Sequence, residues 1–213
     1  MSDACGKVRA LYKDYGETVS LLVIDAELKY REFPTIVLNE IRAFTAHISR
    51  LANDGYTGEE ADEQVRRAAR HIVRIKLDLH KVLCLWFSDE YMRHFPRRYR
   101  NVPLDTLIIE DQQFQSTYSR LVAEGIKLVR QAKNEEVKQP AENALVTYEL
   151  ALSKFRELEA LILRNQHHLD ECKRRYYAAK VTEWSIAFII GFLASMLVQH
   201  WSQVIGWISG LFS

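Results

Sequence analysis

The chain is poor in the residues that break helices: 8 glycines and 4 prolines in 213 residues. An all-β domain, with a turn every ten residues or so, needs more of both. Cysteine is also scarce. Cys5, Cys84 and Cys172 are odd in number, widely spaced and never in a CxxC pair, which excludes a disulfide framework and a zinc cluster and fits free thiols in a reducing compartment. Charge of one sign is missing, with 29 Lys+Arg against 28 Asp+Glu, so the whole chain does not read as a cationic nucleic-acid module. The first residues contain no apolar core of a secretory signal, and the bulk of the chain is expected to stay where it is made. The eight glycines never form a phosphate-binding loop, and neither a nucleophile elbow nor a His-Glu-x-x-His or Glu-x-x-His spacing occurs. Asp78 and His80 are two apart, and His167 and His168 are adjacent and diverge by about 100° on an ideal helix. No cofactor and no metal site are indicated.

The last absence is local. Residues 184–213 contain no Lys, Arg, Asp or Glu, whereas residues 1–183 hold all of them. The run from Trp184 to Val198 is apolar, and about 20 such residues cross a bilayer. Trp184, Phe188, Phe192, Leu197, Trp201 and Trp207 are the expected anchor residues, with the tryptophans suited to the interfacial belts. Lys173, Arg174, Arg175 and Lys180 flank the near side, which by the positive-inside rule keeps residues 1–183 cytoplasmic. Beyond residue 200, Trp201, Val204, Ile205, Ile208, Leu211 and Phe212 share one helical face. This reads as a short segment lying on the membrane after a span that ends near 200, the alternative being one longer tilted span.

What remains is helix. Val8, Leu11, Tyr12, Tyr15, Val19, Leu22, Ala26 and Tyr30 recur at helical spacing through Gly16. Pro34 opens a second helix with the stripe Val37, Ile41, Phe44, Ile48 and Leu51, which the glycine-rich stretch 53–58 ends, with Thr57 as cap for the next. In the third helix Val65, Ala68, Ile72, Ile75, Leu79, Val82 and Trp86 alternate steps of three and four, ending near Phe95 and Pro96. A fourth carries Phe114, Tyr118, Leu121, Gly125, Leu128 and Ala132. A fifth, opened by Pro140, has no Gly or Pro from Ala141 to Ile190. The expected fold is an all-α bundle of four or five helices: a bundle over 1–139, a long helix over 140–183 that completes it and serves as a stalk, and the anchor over 184–213.

Two groups of polar residues invite function. Arg66, Arg70 and Arg74 form an i, i+4 row, and Arg97, Arg98 and Arg100 surround Tyr99 in a short loop. Nucleic acid, nucleotide or acidic lipid is the functional reading of these cations, and pairing with Glu59, Glu63 or Asp78 on a solvated face is the other. In the second helix Arg42 and His47 stand in an Arg-x4-His arrangement beside Asn39 and Glu40. This resembles the motif of HEPN-like domains, all-α bundles whose ribonuclease members bring Arg and His together across a dimer interface. The stretch from Arg66 to Lys81 has the same flavour, and the resemblance covers about residues 5–135. It implies a His base and an Arg phosphate contact in metal-independent RNA cleavage, and a bacterial inner-membrane setting. Ala43 replaces the polar residue that usually follows the Arg, and Arg42 and His47 diverge by about 140° on an ideal helix. The expectation is therefore a non-catalytic sensor, scaffold or interaction module bound to the lipid bilayer, forming homo-oligomers and open to a protein partner. The alternatives are a defence or stress effector that perturbs the membrane on oligomerisation, and a membrane-held ribonuclease.

Overall fold

A computed structural model describes residues 2–30, 33–53, 58–109, 112–138, 140–201 and 205. Helix α1 (Ser2–Asp14) passes through a π-turn (Tyr15–Val19) directly into α2 (Ser20–Tyr30). The Ser20 N–H donates to the Tyr15 carbonyl, and the Ser20 hydroxyl donates to the same oxygen at 3.2 Å. The residue inserted at the π-turn keeps the apolar face aligned, so that Leu11 and Tyr15 before it and Val19, Leu22 and Ala26 after it meet one core. Helix α3 (Thr35–Asn53) starts just after Pro34, whose carbonyl accepts from the N–H groups of Val37 and Leu38. Val37 and Phe44 are its buried residues, with Ile41 and Ile48 at their flanks.

The third helix is the centre of the molecule. α4 (Gly58–Asp89) contacts α1, α2 and α3 and the later α6 (Phe114–Lys138) and α7 (Ala141–Arg164). It begins at Gly58 with φ +59°, a left-handed conformation that glycine adopts without penalty. It continues through a second π-turn (Glu90–His94) into α5 (Phe95–Arg98). Pro96 accounts for that turn. The Phe95 N–H goes to Glu90, and Pro96 has no N–H to offer the Tyr91 carbonyl. The hydroxyl of Tyr118 on α6 donates to that carbonyl instead, so the kink is closed from a neighbouring helix.

After α5 the chain turns at Asn101, whose φ of 66° is one that Asn tolerates, and forms a 3-10 turn (Leu104–Thr106). A two-residue antiparallel pair follows, β1 (Ile108–Ile109) with β2 (Gln112–Gln113), where the alternation-free sequence gave no strand expectation. α6 and α7 are antiparallel across the short link at Pro140. They pack closely because Gly125 has no side chain: a Cβ there would sit 2.8 Å from the Phe155 ring. The α6 stripe holds Phe114, Tyr118, Leu121, Gly125, Val129 and Ala132, so Val129 takes the buried place expected for Leu128.

The fold is all-α, as expected, with one more long helix among the described residues because the helix expected to run unbroken from Ala141 stops at Asn165. The Asn165 side-chain amide donates to the Leu161 carbonyl at 2.8 Å, the acceptor its own backbone N–H would use in a continuous helix. That N–H turns to Ile162 at 3.1 Å, and α8 (Gln166–Gln199) starts afresh. Leu169 anchors α8 in the core, and Cys172 and Tyr176 lie against its edge. From Tyr177 to His200 every residue is exposed.

Candidate functional site at the root of the C-terminal helix

Three polar clusters lie along the bundle. The first contains one half of the Arg42/His47 pair. Arg42 is exposed, while His47 turns inward against α4. Its Nδ1–H donates to Gln64 Oε1 at 2.7 Å, and its ring stacks on His71 with centroids 5.2 Å apart. His71 in turn donates from Nδ1 to Glu40 Oε2 at 2.6 Å. The structure thus joins His47 to Gln64, His71 and Glu40 and leaves Arg42 on another face. Glu40 and His47 are seven apart on α3, and Gln64 and His71 are seven apart on α4. That repeat of two helical turns was legible in the sequence and is what two antiparallel helices need in order to match residue for residue. Chemically, each imidazole has its Nδ1–H held by a side-chain acceptor, which fixes its tautomer and ties α3 to α4.

The second cluster is the arginine row. Arg66, Arg67 and Arg70 converge on one carboxylate, Glu63, at 2.9, 2.8 and 3.5 Å, while Arg74 is exposed. Hydrogen bonds from Arg67 and Arg66 hold the Glu63 carboxyl down at about 2. Of the two readings of this row, pairing on a solvated face describes Arg66 and Arg70. The row also stands far from the other cations. Arg70 and Arg98 lie on one continuous rod 28 residues apart, about 40 Å at ~1.5 Å per residue. The six arginines therefore form two patches at opposite ends of the bundle.

The third cluster is where α8 leaves the bundle, and it is the best-built site. Arg97 and Arg98 lie in the last turn of α5 and not in the loop expected there; Tyr99, buried just after it, donates from its hydroxyl to Asp170 Oδ1 at 2.9 Å. Gln166 bridges the pair, with its Nε2 at 3.2 Å from the Tyr99 hydroxyl and 2.9 Å from Asp170 Oδ2. Lys173 Nζ lies 5.5 Å from the centre of the Tyr99 ring, within cation–π range. Burial raises the Tyr99 hydroxyl pKa, with Asp170 adding to it, and the Gln166 amide leads in lowering that of Asp170. Arg98 is held by Glu90 at 3.2 Å; Arg97 and Arg100 are exposed. A groove of about 340 Å³ follows α8 downward between Pro103, Thr106 and Leu107 on one side and His168, Cys172 and Tyr176 on the other.

Near the same root, donor atoms of His167, His168 and Glu171 lie within 4.8 Å of one another. The ring planes cross at 87°, so adjacent histidines that diverge in an ideal projection bring their nitrogens together through side-chain rotation. Glu171 is already held by Arg175 at 2.6 Å, and both histidines are exposed. Among the cysteines Cys84 is buried, with its thiol pushed up to about 12 by desolvation, while Cys5 is exposed and Cys172 half-buried. The buried thiol is inert as a nucleophile.

Of the anchor residues, Trp184, Phe188, Phe192, Leu197 and Trp201 are all exposed, and Trp207 lies outside the described residues, as do Thr57 and most of the apolar face after residue 201. α8 is the one helix among the described residues long and apolar enough to cross a membrane. Comparison with family models, with curated proteins and with solved structures gave no match.

Proposed function

We propose that the protein is a helical bundle anchored to a membrane through α8, with the bundle held on the cytoplasmic side as a non-catalytic interaction module. One observation carries the reading: α8 leaves the core at Leu169 and from Trp184 presents only uncharged, largely apolar side chains on every face. Trp184–Gln199 covers about 24 Å at ~1.5 Å per residue, and the uncharged sequence continues to Ser213. An apolar surface of that extent is unfavourable in water and has its natural solvent in a hydrocarbon core of ~30 Å. Lys173, Arg174, Arg175 and Lys180 precede the span, and residues 200–213 contain no Lys or Arg, which supports the cytoplasmic placement. The non-catalytic part rests on the α3/α4 cluster, where His47 is occupied by Gln64 and His71 and Arg42 lies elsewhere.

The test is fractionation of the full chain with alkaline carbonate, combined with a reporter fused at the N-terminus. The expected result is a chain that stays in the membrane pellet with the reporter on the cytoplasmic side. Release by carbonate would overturn the anchor. Incubation of the full chain in detergent with structured and unstructured RNA addresses the second half, and cleavage lost in His47→Ala would overturn the non-catalytic reading.

A further inference from the structure

Resting on the reading that α8 crosses the membrane, we infer that the Arg97–Arg100 segment and the first turns of α8 form one basic collar that rests on anionic lipid headgroups, fixing the bundle's attitude to the bilayer. Over residues 95–109 and 166–183 there are seven cations, Arg97, Arg98, Arg100, Lys173, Arg174, Arg175 and Lys180, against four carboxylates. Three of the seven are engaged locally: Arg98 by Glu90, Arg175 by Glu171 and Lys180 by Glu183. Arg97, Arg100 and Arg174 are exposed, with no salt bridge within the chain among the described residues. Cations clustered at the cytoplasmic mouth of a span are drawn to anionic lipid within a Debye length of the surface.

The tertiary structure adds what the sequence could not: the segment is clamped to the span's own helix. Tyr99 is bound to Asp170 and Gln166 and covered by Lys173, so the segment stands level with residues 166–173. Lys173 is eleven residues before Trp184, about 16 Å along the axis. The headgroup layer takes up roughly 6 Å of that distance next to Trp184, and a tilt of ~20° from the normal, usual for a spanning helix, brings one side of the collar closer. The long arginine side chains reach into the remainder, which is about one Debye length of ~10 Å. The arginine row near Glu63, about 40 Å up the same rod, stays away from the surface.

The test uses the full chain in nanodiscs, either of pure phosphatidylcholine or with about a third phosphatidylglycerol. Modification of individual arginines by phenylglyoxal is read by mass spectrometry. The expected result is at least threefold slower modification of Arg97 and Arg100, relative to Arg74, in the anionic discs, with the protection lost in 0.5 M NaCl. Equal rates in the two lipids would overturn the collar while leaving the span intact. Equal protection by 10 mM inorganic phosphate in zwitterionic discs would also overturn it, by showing a free-anion site in place of a membrane contact. Failure of the chain to enter discs of either composition would overturn the span, and the collar with it.

Discussion

Helices α4 and α8 are nearly the same length, 32 and 34 residues, yet α4 buries twelve of its residues and α8 one. α4 is the more polar of the two, and its apolar residues recur on one face. The second half of α8 is apolar on all faces, and no neighbouring helix among the described residues covers it. The difference teaches that burial in this protein follows the arrangement of apolar residues more than their amount. An amphipathic helix finds its partners within the chain, whereas one that is apolar all round needs a different solvent.

The sharpest way to break this comparison is to place the same charge in both helices. Ile72→Asp puts a carboxylate at a position only 2% exposed and is expected to destabilise the bundle by about 3–5 kcal/mol. Phe188→Asp should leave the bundle's melting temperature unchanged and weaken membrane retention. Arg70→Ala, on the solvated row, serves as the control with little effect. Equal melting temperatures for Ile72→Asp and Arg70→Ala would show that the core face of α4 is misassigned.

Glycine gives a second, smaller contrast. Gly125→Ala drives a Cβ into the Phe155 ring and should cost about 1–2 kcal/mol after the helix-propensity gain is offset. Gly191→Ala on α8 meets open space and should leave the thermal melt where it is. A Gly125→Ala protein as stable as the parent would mean that α6 and α7 separate at no cost.

The junction between the two regions can be loosened by Tyr99→Phe, which removes the hydroxyl shared by Asp170 and Gln166. The expected loss is about 0.5–1.5 kcal/mol, seen as faster hydrogen exchange confined to the first turns of α8. Exchange unchanged there would mean that the segment is not clamped.

The smallest effect concerns the exposed arginine row and acid. The Glu63 carboxyl sits at about 2 against an ordinary 4.5, so its contribution is fully present above pH 4.5 and is lost as pH falls through about 2. Glu63→Gln should remove that slope, with stability slightly below the parent's near neutrality and equal to it near pH 2. A carboxyl titrating near 4.5 by NMR would remove the effect.

Much of this was legible beforehand where a regular repeat met a single environment. The α4 stripe holds from Val65 to Leu79, after which Leu83 and Phe87 take the buried places expected for Val82 and Trp86, and the uncharged run after Glu183 lies on a helix long and apolar enough to cross a membrane. The Arg42/His47 motif was read the same way, as two side chains that diverge on one helix, with no partner named for either. Its histidine is joined to residues of α4 that a reading of one helix does not consider. Leu128 and Val129 likewise exchanged places because the choice between adjacent residues depends on where α7 lies.

The sequence by itself determined that the chain is helical, which face of each amphipathic helix is apolar, and where charge ends. These are properties of local spacing and composition, set before any two helices meet. Tertiary structure alone decided the rest. The Tyr118 hydroxyl took up the carbonyl that Pro96 left unserved. His47 met His71, and Tyr99 locked a basic segment to the root of α8. Each of these bonds joins a group to a carbonyl, carboxylate or ring whose availability depends on the fold's three-dimensional packing, and a one-dimensional pattern carries no record of it.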